Sequence, residues 1–193
     1  MQARCLTPFL RDTGGVPAIE PPTLRSGDLT LRPPRPDDAD AVTAACQDPG
    51  IQRWTLVPSP YRREHAESWL AGCPAQARAG EALSLLAELD GRLAGSFSLM
   101  ELTRRPAYGE IGYWVAAEAR GRGVAGRAVT LLRDWAAEVL RLRTIEILAH
   151  RDNAPSRAVA RRAGFAETDE LRRLPRGGED AGPPVHIVYL WEA

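Results

Sequence analysis

The stretch GEIGYWVAAEARGRGVAGR, Gly109 to Arg127, decides how this chain is read. An apolar, β-prone run from Ile111 to Val115 leads into a short loop. The loop becomes Arg-x-x-Gly-x-Ala at Arg120, Gly123 and Ala125, and a long amphipathic pattern follows at once. Strand, glycine-rich turn and helix N-terminus together make an anion site: glycines let the chain curl, amides point inward, and the helix dipole favours negative charge. A phosphorylated ligand is expected here.

Downstream, the pattern from about Gly123 to Leu140 sets Val124, Ala128, Leu131, Leu132, Trp135 and Val139 on one helical face. Thr144 to Ala149 reads as a strand, Asn153 to Ala163 as a helix ended by Gly164, and 165–172 and Val185 to Trp191 as strands around a polar loop from Arg176 to Pro184. Upstream, Leu83 to Leu89 and Leu93 to Leu102 flank Asp90-Gly91, a strong hairpin signal. A second helix begins near Arg62 and is interrupted by Gly72 and Pro74. Before it, a strand at Asp28 to Arg32 is stopped by prolines, and a helix from Asp37-Asp38 through Cys46 is ended by Asp48-Pro49-Gly50. The order βααβββαβαββ predicts an α/β (α+β) domain, with a mixed, mostly antiparallel sheet of about seven strands and helices on both faces. Residues 1–26 carry Pro8, Gly14, Gly15, Pro17, Pro21 and Pro22 without periodicity and read as an N-terminal extension; the domain reads as 27–193.

Composition narrows the function. The 193 residues suit one domain, and zero formal net charge supplies no field toward nucleic acid or membrane. All 25 basic residues are arginine, which excludes a Gly-Lys-Ser/Thr phosphate loop and a Schiff-base lysine. Cys5, Cys46 and Cys73 lack metal-like spacing, His65, His150 and His186 are scattered, and no metal is expected. No run reaches the ~18 apolar residues of a membrane helix, and the N-terminus lacks a signal-peptide core; a cytoplasmic location is expected.

Gly121-x-Gly123-x-x-Gly126 also spells the dinucleotide fingerprint. Three features oppose it. Ala116 to Arg120 separate strand and glycine, a meander precedes the strand, and Glu146, at the right distance for a ribose, sits mid-strand.

Arg120-Gly-Arg-Gly-Val-Ala125 after Gly112-Tyr-Trp-Val115 resembles the acetyl-CoA pyrophosphate loop of the GNAT N-acetyltransferases. Asn153-x-x-Ser156 and Arg162-Ala-Gly-Phe165 resemble the second signature of that family's ribosomal-protein (RimJ/RimL-like) branch. The resemblance covers about Gly27 to Ala193 and implies the GNAT acyl-CoA N-acyltransferase fold. It implies that amides from Arg122 through Gly123, Val124, Ala125, Gly126 and Arg127 hold the pyrophosphate, and that Val115, Arg120 and Gly121 also bind the cofactor. It implies that the strand ending at Val115 splays from the Thr144–Ala149 strand, helped by a bulge. Pantetheine then lies in the gap, Asn153 contacts the cofactor arm and Ser156 sits near the thioester sulfur.

The implied activity is acetyl transfer from acetyl-CoA to a primary amine, by direct attack in a ternary complex. An α-amine near pKa ~7.8 is roughly one-seventh neutral at pH 7, whereas a lysine near ~10.4 is neutral about once in 2,500. Glu110 is the candidate base and Ser156 the candidate hydrogen-bond donor to the leaving thiolate; an amide near Val115 would polarise the carbonyl. Each has a plainer reading. Glu110 could be an exposed strand-end carboxylate, Asn153 a helix cap with Ser156 in the first turn, and Arg120 a solvated arginine. Trp54, Tyr61 and Trp69 could line an acceptor pocket or belong to the core. Family branches with a tyrosine acid carry it four residues before the Gly-Phe pair, where this chain has Ala160. The expected partners are acetyl-CoA and an amine acceptor, a protein N-terminus or a small molecule, with no nucleic acid and no membrane. The expected assembly is a monomer or homodimer. The alternative is a catalytically weak acyl-CoA-binding regulator or scaffold of the same fold.

Overall fold

The computed structural model describes residues 17–174 and 185–193. An eight-stranded sheet runs β1(Leu24–Ser26), β2(Leu29–Arg32), β3(Leu83–Leu89), β4(Arg92–Met100), β5(Tyr108–Val115), β6(Thr144–His150), β8(His186–Glu192), β7(Ala166–Arg172). Neighbours are antiparallel except β5 and β6, which are parallel. A mixed, mostly antiparallel sheet was expected; the strand beyond the expected seven is β1. It lies within the proline-rich stretch read as an extension, and its three residues pair with β2 across a turn at Gly27. Ile19 in the same stretch is 4% exposed, and its amide donates to the Ala77 carbonyl at 2.8 Å.

Two apolar layers cover the sheet. Helices α1(Ala39–Ala45), α2(Pro49–Trp54) and α3(Arg63–Arg78) bury Val42, Ile51, Ala66 and Leu70 against Leu86, with Trp114 packed alongside. Helices α4(Val124–Val139) and α5(Ala154–Arg162) bury Val124, Ala128, Leu132 and Ala160 against Leu85, Phe97, Ile111, Ile147 and Tyr189 on the opposite face. The stripe expected on α4 is shifted at its end: Ala136 is buried and Val139 is 56% exposed.

Two chain breakers behave differently from their sequence reading. Asp48-Pro49-Gly50 starts α2 as well as ending α1. The Asp48 carboxylate caps the new helix by accepting from the Ile51 amide at 2.9 Å, and Pro49 takes the first turn, where no amide is needed. Pro74 lies within α3, which continues to Arg78. The Asp90-Gly91 hairpin forms as read, with φ of 53° and 72°, the left-handed pair that a tight hairpin turn requires.

Candidate active site

The site starts where β5 and β6 part. They pair at Tyr108↔Thr144, Gly109↔Ile145 and Glu110↔Glu146, and no further. Beyond that point β5 keeps its register with β4 to Gly95↔Val115, and β6 keeps its register with β8 to His150↔His186. Each wall follows its outer neighbour, so the inner edges separate. The expected splay is present; the expected bulge is not, because the β4–β5 ladder is unbroken.

Alternation fixes what each residue offers the opening. The Ala116 amide donates to the Ala94 carbonyl at 2.9 Å. Even-numbered residues of β5 therefore bond β4, and Ile111, Tyr113 and Val115 turn their amides and carbonyls toward the opening. Side chains alternate as well. Ile111, Tyr113 and Val115 pack with the α4–α5 layer, whereas Trp114, and with it Gly112 and Glu110, faces the α1–α3 side.

Glu110 is the last paired residue, at the apex of the opening. Burial pushes its carboxyl up from 4.5 to about 7, reinforced by the Glu101 and Glu146 charges and tempered by Arg172 and Arg104. It is half-buried, which disfavours the plain reading of a solvated strand-end carboxylate. Glu146, its cross-strand neighbour, is 3% exposed and fully engaged. Arg105 and the Tyr108 hydroxyl each donate to it at 2.7 Å, and Arg172 closes the cluster. Glu146 is thus a structural anion, in agreement with the rejection of a ribose role.

At the far end of β5 the glycine loop turns directly into the N-terminus of α4. Gly121 and Gly123 have φ of 75° and 74°, and a Cβ on either would meet open space, so these glycines are required by backbone conformation rather than by crowding. Gly123 caps α4 without any side-chain hydrogen bond. The Arg127 amide donates to the Gly123 carbonyl at 3.2 Å and closes the first turn. Helix geometry leaves the amides of Gly123, Val124, Ala125 and Gly126 for an anion.

The loop arginines all point to aspartates outside the cradle. Arg120 donates from Nη2 to Asp48 at 2.5 Å and from Nε to the Val115 carbonyl at 3.2 Å. Arg122 bonds Asp90 at 2.7 Å, and Arg127 bonds Asp28 at 2.6 Å and the Ser26 carbonyl at 3.1 Å. Arg120 is therefore not a freely solvated arginine; its guanidinium braces the loop against α2.

The second signature lies across the opening. Asn153 caps α5, its side chain accepting from the Ser156 amide at 3.2 Å. The capping reading of Asn153 therefore holds, with its amide nitrogen left for other contacts. The Ser156 hydroxyl lies 2.9 Å from the Tyr113 hydroxyl, which reaches over from β5. Tyr113 stacks on Phe97 with ring centroids 5.5 Å apart and planes 9° from parallel. Tyr113 has no assigned role among the sequence motifs; strand alternation, which puts it on the face opposite Glu110, is the signal that points to it. Ala160, at the position of the family tyrosine, is fully buried, so α5 brings no phenol to the site.

Of the three aromatics considered for an acceptor pocket, Tyr61 is buried and Trp69 packs on the α1–α3 core. Trp54 alone stands over β6, with its ring 5.2 Å from His150, which in turn meets His186 edge-on at 5.3 Å. His150 Nδ1 accepts from the Asp152 amide at 3.1 Å, a strand-end turn contact. The polar loop from Arg176 to Pro184 lies outside the described residues.

Comparison with known proteins fixes the frame. The family described as acetyltransferase (GNAT) domain matches residues 28–166. The chain belongs to this GNAT family. YdaF of Bacillus subtilis (strain 168), a candidate ribosomal N-acetyltransferase by its name, is 38% identical over 120 residues, 62% of this chain and 58% of YdaF. Spermidine N(1)-acetyltransferase of Escherichia coli (strain K12) is 30% identical over 84 residues, 44% of this chain and 45% of that enzyme. These matches span roughly half the length of the curated relatives. Mycobacterium smegmatis RimJ, solved with CoA-disulfide, superposes with a TM-score of 0.76 at 28% identity, covering 90% of this chain and 87% of RimJ. The GNAT fold expected from the sequence is the fold observed.

The cradle and opening of this GNAT domain fit acetyl-CoA by their own chemistry. Four helix-end amides suit a pyrophosphate, and an unpaired strand edge suits an amide-bearing pantetheine arm. Among the described residues no helix is long and apolar enough to cross a membrane.

Proposed function

We propose that this protein transfers an acetyl group from acetyl-CoA to a primary amine, with protein N-terminal α-amines as the first acceptor class. The observation that carries this reading is the parting of β5 and β6 with Glu110 at its apex. When bound, acetyl-CoA supplies a thioester carbonyl within the opening. The amides of Gly123 through Gly126 would hold its pyrophosphate, the Tyr113 backbone and the Val115 amide its pantetheine, and Asn153 and Ser156 its far side.

Glu110 and Ser156 then divide the work by position. Glu110 faces the α1–α3 side, from which an amine would enter, and accepts the proton the amine releases. Ser156 sits at the start of α5 on the other side, where its hydroxyl and the helix dipole favour a thiolate. A base at about 7 is matched to an α-amine near ~7.8, and less so to a lysine near ~10.4. The ribosomal and spermidine activities in the names of the relatives support a protein N-terminus or a small polyamine as acceptor. A cytoplasmic monomer or homodimer is the setting proposed.

A thiol-release assay with acetyl-CoA against N-terminal peptides and polyamines tests the reading, beside calorimetry with CoA. Turnover with an N-terminal peptide and micromolar CoA binding are expected. Absence of CoA binding would overturn the reading, and CoA binding without turnover of any amine would favour the acyl-CoA-binding scaffold instead.

A further inference from the structure

The contact between Tyr113 and Ser156 joins the two walls of the opening. Tyr113 belongs to β5, Ser156 to the first turn of α5 beyond the end of β6, and no backbone pairing links β5 to β6 at this level. The Tyr113 hydroxyl also lies 3.5 Å from the Ser156 carbonyl. Both oxygens near the phenol therefore belong to the same residue.

The direction of the bond follows from acidity. The geometry lets either hydroxyl donate, and the greater acidity of a phenol favours Tyr113 O–H as the donor and Ser156 Oγ as the acceptor. That leaves the Ser156 hydrogen to turn elsewhere. The Ser156 amide is fixed on Asn153, which holds the residue in place while its hydroxyl rotates. Phe97, fully buried beneath the Tyr113 ring, fixes the phenol in turn. Burial also raises the Tyr113 hydroxyl to about 12, so it stays protonated as a donor through the working pH range.

We propose that Tyr113 is a positioning residue whose phenol orients the Ser156 hydroxyl, so that Ser156 donates its hydrogen bond to the sulfur of the departing CoA thiolate. This rests on the acetyl-transfer reading. In the reaction the amine nitrogen bonds the carbonyl carbon, the carbon–sulfur bond breaks, and its electron pair stays on sulfur. The proton lost by the amine passes to Glu110. Ser156 keeps its own proton and stabilises the thiolate by hydrogen bonding alone. Tyr113 touches Ser156, not the reacting atoms.

The test titrates the thiol of bound CoA by the ultraviolet absorbance of its thiolate, in the wild type, Tyr113→Phe, Ser156→Ala and the double variant. The Phe ring keeps the stack on Phe97, and thermal melting checks that the fold is kept. The wild type is expected to hold the bound thiol about one unit below its free value near ~8.5. Each single variant should return about half or more of that shift, and the double variant should match Ser156→Ala. Steady-state rates should follow, with kcat falling about tenfold in Tyr113→Phe and KM for acetyl-CoA within about twofold. Unchanged thiol titration in Tyr113→Phe, or additive losses in the double variant, would overturn the positioning role. Failure of the wild type to bind CoA would instead defeat the acetyl-transfer reading itself.

Discussion

The seam between β5 and β6 has a closed half and an open half, built from the same two strands. In the closed half, Tyr108, Gly109 and Glu110 pair with β6, and Glu146 is neutralised by Arg105, Arg172 and the Tyr108 hydroxyl. In the open half the backbone edges have no cross-strand partner, α4 is capped without a side chain, and side-chain contact is made through Tyr113 and Ser156. The closed half satisfies its polar groups internally. The open half leaves amides and carbonyls for something else to satisfy, which is costly unless water or a ligand supplies the bonds. Glu110 stands at the border and belongs to neither: it is paired in backbone, but among the described residues no arginine bonds its carboxyl.

The largest effect should come from breaking the closed half. Glu146→Ala leaves Arg172, with an 18% exposed side chain, and the buried Tyr108 hydroxyl without their shared acceptor. Removing one member of a buried charge cluster costs about 3 kcal/mol. Urea unfolding should show a loss of that size, and a loss under about 1 kcal/mol would mean the cluster does not hold the seam shut.

Glu110→Gln should separate activity from stability. Glu110 titrates at about 7 when folded and near 4.5 otherwise, so between those values the folded chain keeps a proton that the unfolded chain has released. Its contribution to stability is therefore full below about 4.5 and is lost as pH rises through about 7. Activity runs the opposite way, because a base must be deprotonated. The glutamine variant should lose about 100-fold in kcat, yet near pH ~8 it should unfold about 2 kcal/mol less readily than the wild type, with the gap closing near pH ~5. A variant that keeps the wild-type pH–rate profile would remove Glu110 from the base role.

The two halves were unequally legible in the sequence. The glycine loop, the Asp90-Gly91 hairpin and the Asn153 cap are local signals: each depends on residues within a few positions, and each forms. What was not legible depends on distant partners. Arg105 and Arg172 reach Glu146 from 41 and 26 residues away, and Tyr113 finds Ser156 across 43. No periodicity encodes such pairs. Strand β1 is three residues long and is defined by its pairing with β2, so the prolines before it, Pro21 and Pro22, hid it. Asp48-Pro49-Gly50 carries two local readings, helix end and helix start, and both are realised, the second with Ile51 buried in the α1–α3 core. The family resemblance located the open half but implied a bulge where this chain simply stops pairing.

The smallest effect tests how far the open half is tied to the acceptor side. Arg120, in the cradle, meets Asp48, which caps α2, and α2 ends in Trp54 beside His150. Asp48→Asn keeps a side-chain oxygen able to cap Ile51 and removes the charge facing Arg120. The pair is partly exposed, with side chains 45% and 21% accessible, so the fold should lose only about 0.5 kcal/mol. Kinetics should be more telling than melting. With the cap kept, a two- to threefold rise in KM for acetyl-CoA alone would confine Arg120 to bracing the cradle. A rise of about that size for the acceptor as well would show that cradle and α2 move as one unit, since two sites linked through a shared element must weaken together. No change in either KM would mean that the Arg120 bond to the Val115 carbonyl holds the loop without Asp48.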